Sequence, residues 1–192
     1  MDHPGTNNLF ETKCKSKLSI LYNDQAVLEH HHAASFYFML ENVKHDCNIM
    51  SDLPQKETLD GRKLILENIL GTDMSKHGMV QSEMKTISEL PEEERLLDTK
   101  NKNTFLKALV HAADVGNPTR PFSIAKPWGI QIVKEFFYQG DKERELGYDI
   151  SMLCDRHTVN FANSQIGFCN FMIYPYFNTL NKIVPKLEEL SD

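Results

Sequence analysis

Along nearly the whole of this chain the apolar residues recur at three- and four-residue intervals, while alternating β-branched runs are scarce. A chain patterned in this way buries one stripe of each helix against its neighbours, so the expected fold is all-α. In "NDQAVLEHHHAASFYFMLEN" a stripe of Val27, His31, Ala34 and Phe38 follows Asp24, a residue suited to cap a helix start. "GRKLILENILGTDMSKHGMVQSEMKTI" groups Leu66, Ile69, Leu70 and Met74, with Gly71 and Gly78 as interruptions or bends. The acidic, proline-broken "ELPEEERLLDT" reads as an exposed connection or a short solvated helix. "NTFLKALVHAADVGNPTRP" is a buried helix stopped by Gly116 and Asn117-Pro118. "WGIQIVKEFFYQG" is a helix ended by Gly140. A last helix begins near Asn160, with Pro175 as a kink and Pro185 as a break. At 192 residues, with no repeat and no long Pro/Gly/Ser-rich linker, the expectation is one compact multi-helix domain.

The net charge of −6 argues against broad binding to nucleic acid or anionic membranes, which needs clustered Lys and Arg. It leaves room for a small anionic substrate if bound cations supply the positive charge. Cys14, Cys47, Cys154 and Cys169 form no Cys-x-x-Cys pair and suit reduced thiols. With no signal peptide and no apolar run long enough for a bilayer, the chain is expected to be soluble and cytoplasmic.

Four constellations carry possible chemistry. Asp114 ends the apolar run "LKALVHAADVGNP", where burial would require it to be paired, hydrogen-bonded or metal-bound. His111 stands three residues earlier on the same helical face and is read as a hydrogen-bonded core histidine or a ligand. In "LEHHHA", Glu29 and His32 share a face as metal-site residues on helices do, whereas His30 suits solvent and His31 the core. "GTDMSKH" places Thr72 and Asp73 at a bend, with Thr72 either a helix cap or a functional group. In "SQIGFCNF", Gln165 and Phe168 put an amide and a ring on one side of a helix. That pair suits a planar heterocycle, or else Phe168 is core.

The ordered run "DHPGTNN", "YNDQAVLEHHHA", "GTDMSKH", "HAADVGNPTRP", "EFFYQGDKERELGYDISMLCDRHT" and "SQIGF" resembles the catalytic domain of class I cyclic nucleotide phosphodiesterases over essentially all 192 residues. The resemblance implies an all-α, HD-like catalytic fold. It also implies hydrolysis of cAMP or cGMP to the 5′-monophosphate with two divalent cations, zinc and magnesium or manganese. By the same resemblance Asp114 is a direct metal ligand, while Glu29 and Thr72 hold the second metal through water. Gln165 reads the purine, Phe168 clamps it, Asn117 stands beside the base and Ile132 forms the opposite apolar jaw. His3 matches a histidine near the metals and phosphate, with Asn8 following at the family's spacing. In the family a His-Asp metal pair would stand just before Met1, and the general-acid histidine lies farther upstream. The expectation is therefore a partial domain, residues 1–192 being its C-terminal half to two-thirds without the N-terminal helices and inactive alone. The alternative is a non-catalytic relative that binds a nucleotide or a partner; a helical bundle with coincidental motifs is a third reading. A glutamine amide can present either its carbonyl or its NH₂, so Gln165 does not by itself choose adenine over guanine. The sequence is silent on oligomeric state.

Overall fold

Polar side chains able to cap an amide row stand at four of the helix starts in the computed structural model, which describes residues 1–42, 44 and 46–185. The α-helices are α1 (Asn8–Lys13), α2 (Lys17–Leu21), α3 (Val27–Leu40), α4 (Gln55–Leu70), α5 (His77–Ser88), α6 (Thr99–Val115), α7 (Phe122–Glu145), α8 (Phe161–Phe168) and α9 (Tyr174–Ile183). No strand occurs among the described residues, so the fold is all-α as expected. Asn7, Ser16, Asp98 and Asn160 each accept the backbone N–H three residues on, at 2.9–3.1 Å, and so satisfy amides that the first turns of α1, α2, α6 and α8 leave open.

The chain forms two compact units, Met1–Met74 and a second that begins at Ser75. In the first, α3 packs against α1, α2 and α4. Asp24 does not cap α3. It lies in the left-handed region (φ 60°), and the residue before the helix is Ala26, with no side-chain cap. The cap comes from elsewhere in the chain: Asn8 Oδ1 on α1 accepts the Leu28 N–H at 2.8 Å. The stripe expected on α3 is also displaced. Val27, Leu28, Ala33 and Leu40 are buried, whereas Phe38 is 78% exposed, because α3 is packed from more than one side.

In the second unit α5, α6 and α9 enclose a core of Val80, Met84, Ile87, Ala108, Ala112, Tyr176, Phe177, Leu180 and Ile183. Each large side chain buried there contributes about 1.5–3 kcal/mol. The Tyr176 hydroxyl, deep in this core, donates to the Ala108 carbonyl at 3.0 Å. His111 and His77 are buried beside it, with Nε2 and Nδ1 2.9 Å apart.

Two proline and glycine readings resolve differently. Gly140 does not end α7, which continues to Glu145. It is buried where the Cys154 backbone crosses the helix, and a Cβ there would stand 2.0 Å from the Cys154 carbonyl oxygen. Pro175 is accommodated by a π-helical segment, Cys169–Ile173, inserted between α8 and α9. A wider turn just before proline relieves the missing N–H and the clash with the preceding turn. Helix α9 stops at Ile183, two residues before Pro185. Gly71 follows the end of α4, whereas Gly78 lies inside α5.

Candidate functional site

The α6 helix stops at Gly116, where a Cβ would meet the Ala112 carbonyl at 2.7 Å, and a 3₁₀ turn over Asn117–Thr119 leads towards α7. The Asn117 Nδ2 donates to the Ala125 carbonyl at 3.1 Å and ties this turn to the first turns of α7. The end of α6, the turn, α7, the loop after α7 and α8 together line a pocket of about 180 Å³ within the second unit. Asp114 and Asn117 stand on one part of its wall and Ile132 on another, with Gln165 and Phe168 on α8. Five of the residues singled out in the sequence thus share a single cavity.

Asp114 departs from its expected burial: it is exposed. The apolar run of α6 buries Ala108, His111 and Ala112, and position 114 lies about 200° round the helix from Ala112. Its carboxylate sits in the last turn, at the negative end of the helix dipole, a location that favours a nearby cation. His111 takes the opposite course into the core, against His77, and is no part of the pocket.

Sequence reasoning missed much of the apolar wall. Val133 and Phe136 on α7 line the pocket, and Phe136, one turn beyond Ile132, was accessible from helical spacing. Leu153 also lines it, from an irregular loop that no periodicity marks. That loop is held by the segment "GDKERELGYDISMLCDRHT". Glu143 on α7 is fully buried, and its carboxylate accepts the Ser151 N–H at 2.6 Å, the Ser151 hydroxyl at 2.5 Å and the Gln139 amide at 3.4 Å. A buried carboxylate needs such partners. Outside this clasp Arg144 pairs with Asp155 at 2.8 Å, and Arg156 Nε donates to Asp141 at 2.9 Å. The Arg156 hydrogen bond holds the Asp141 carboxyl below its ordinary value, and the His157 backbone N–H does the same for Asp155. The longest motif in the chain is therefore a structural clasp that delivers Leu153 to the pocket.

The remaining predicted residues lie in the first unit. Asn8 Nδ2 donates to Glu29 Oε2 at 2.9 Å while its Oδ1 caps α3, so one amide orients the carboxylate and starts the helix that carries it. His3 Nδ1 accepts the Gly5 N–H at 3.0 Å, and its ring stacks on His32 with centroids 5.6 Å apart. Burial is the main cause that lowers the His32 pKa. His31, expected in the core, is only partly buried and contacts Asp2 at 2.8 Å. Thr72 caps no helix start; its hydroxyl donates to the Ile69 carbonyl at 2.8 Å at the end of α4.

Among the described residues no three His, Cys, Asp or Glu side chains converge as a metal-binding group. No helix among them is long and apolar enough to cross a membrane.

With this fold and pocket the chain belongs to the 3′5′-cyclic nucleotide phosphodiesterase family, whose model matches residues 1–192. It is 38% identical over 198 residues to 3′,5′-cyclic-AMP phosphodiesterase 4C of Rattus norvegicus, covering 100% of this chain and 37% of that protein. The 3′,5′-cyclic-AMP phosphodiesterase isoform F of Drosophila melanogaster is also 38% identical over 198 residues, with 100% and 30% covered. The phosphodiesterase domain of the RhoPDE fusion protein from the choanoflagellate Salpingoeca rosetta superposes with a TM-score of 0.90 at 31% identity, over 100% of this chain and 61% of that one. The chain thus spans roughly a third of the length of these two curated relatives (37% and 30%).

Proposed function

We propose that the pocket of the second unit holds the base of a cyclic nucleotide, with cAMP the first candidate, and that the whole protein hydrolyses the 3′ ester to the 5′-monophosphate. One observation carries this reading: Asp114, Asn117, Ile132, Gln165 and Phe168 line one cavity of about 180 Å³ with apolar walls and few polar groups. Such a cavity suits a planar, edge-polar ligand. Phe168 and Ile132 offer a ring and an aliphatic surface for the two faces of a purine, and Gln165 offers a donor and an acceptor for its edge. Asn117 commits its amide nitrogen to Ala125, so its part is to hold the turn beside the base. The cAMP phosphodiesterases among the relatives support the choice of nucleotide. cGMP remains the competing ligand to be tested beside it.

The resemblance attaches two divalent cations to this reaction, with Asp114 as a direct ligand and Glu29 and Thr72 acting through water. His3 would stand near the phosphate. The donor set here does not fit a zinc site by itself: one carboxylate falls short of the three or four protein ligands that zinc requires, and no group of three converges among the described residues. What these 192 residues supply is nucleotide recognition, and by themselves they bind without cleaving.

Calorimetric titration of the 192-residue chain with cAMP and cGMP tests the reading. Binding that is lost in Gln165→Ala, with no turnover in Zn²⁺ and Mg²⁺, is the expected result. Equal affinity in Gln165→Ala would remove the base-binding assignment. Turnover approaching that of an intact relative would refute inactivity.

A further inference from the structure

Gly129 lies buried in α7, one turn before Ile132 and Val133, which line the pocket. Nothing in the backbone demands glycine there. The residue is helical, and its φ is not among the positive ones. In a helix interior glycine is about 0.5–1 kcal/mol worse than alanine. Nor does a neighbouring main chain demand it, in contrast to Gly116 and Gly140, whose missing Cβ atoms would collide with backbone carbonyls. The atoms that a Cβ at Gly129 would meet are side-chain atoms: Gln165 Oε1 at 2.9 Å, Gln165 Cδ at 3.6 Å and Phe161 Cζ at 4.0 Å. The empty space at this glycine is the seat of the Gln165 amide.

We propose that Gly129 is a specificity-determining residue of the nucleotide pocket: by lacking a side chain it lets the Gln165 amide rest against α7, and so sets where that amide meets the edge of the base. The proposal deepens the nucleotide reading above and rests on it. A methyl group at position 129 pushes the amide outward into the pocket. The helix tolerates the change, because the atom that must move is the far end of a flexible side chain. The hydrogen bonds to the base do not, because they weaken steeply as distance and angle depart from ideal values. Gly129 therefore acts through Gln165, without touching the ligand, and shapes both affinity and the discrimination between purines with different edges.

A double-mutant cycle with cAMP and cGMP as probes tests this, using the 192-residue chain, Gly129→Ala, Gln165→Ala and the double variant. In Gly129→Ala the melting temperature is expected to hold or rise. Its cAMP affinity should fall about tenfold, the scale of one misplaced hydrogen bond, with a changed ratio of cAMP to cGMP binding. In the Gln165→Ala background the same substitution is expected to cost nothing further. Unchanged affinities for both nucleotides in Gly129→Ala, or an equal loss in both backgrounds, would overturn the proposal while leaving the pocket assignment intact. Failure of the unaltered chain to bind either nucleotide would instead remove the pocket assignment, and the proposal with it.

Discussion

At the scale of single residues, the buried His77–His111 pair ties the stability of the second unit to pH. Nδ1 of His77 and Nε2 of His111 stand 2.9 Å apart, so one ring donates and the other accepts. The Tyr176 ring lies against both, at centroid distances of 4.9 and 5.3 Å, and the Met172 backbone favours a charged His77. Burial, and then the neighbouring His111, lower the His77 pKa from the ordinary histidine value of 6.5. The unfolded chain therefore binds more protons than the folded one in mild acid. Stability is full above about pH 6.5 and is lost as the pH falls from there through the lower folded value. Urea midpoints between pH 8 and pH 5 should reveal this loss, with a limiting slope of about 1.4 kcal/mol per pH unit for each extra proton. Replacement of His77 by Gln should flatten that slope. A profile as steep as the parent's would show that the titration lies elsewhere.

At the scale of elements, glycines in α5 and α7 show how one residue type answers to opposed surroundings. Gly140 is required by an approaching backbone, that of Cys154 at 2.0 Å from an added Cβ, and Gly78 in α5 faces nothing within 4 Å. The same substitution should therefore act in opposite directions. Gly78→Ala is expected to stabilise by about 0.5–1 kcal/mol through helix propensity and a less flexible unfolded chain. Gly140→Ala should displace the loop that Glu143 holds, at a net cost of about 2 kcal/mol or more, and should speed amide exchange over residues 147–154. Exchange in that loop unchanged from the parent would mean that Glu143 alone carries it. The π-helical segment before Pro175 has a similar logic. A wide turn lets one helical run pass a proline without a break, and so carries Phe168 towards the pocket while Tyr176 stays in the core.

At the scale of the whole molecule, the net charge of −6 and the exposed Asp114 carboxylate make cations the natural counterpart of any anionic ligand. Yet no three candidate ligands converge among the described residues. The melting temperature of the 192-residue chain is therefore expected to be indifferent to EDTA, and zinc should not survive dialysis at one equivalent per chain. A chelator-dependent loss of stability would reveal a metal site held by these residues after all.

Much of this was legible in the sequence because it is local or ordered along the chain. Helical periodicity announced the all-α class, and caps such as Asn160 act on an amide only three residues away. The succession of motifs singled out Asp114, Asn117, Ile132, Gln165 and Phe168 through the family resemblance that it carries. Tertiary structure decided what depends on residues distant in sequence. Asn8, not Asp24, caps α3 from twenty residues away. Gly140 lies inside a helix and is glycine because the Cys154 backbone crosses there, and a clasp around the buried Glu143 brings Leu153 to the pocket. Contacts of that kind leave no periodic imprint, since whether a side chain is covered depends on what packs against it and not on its own neighbours in the chain.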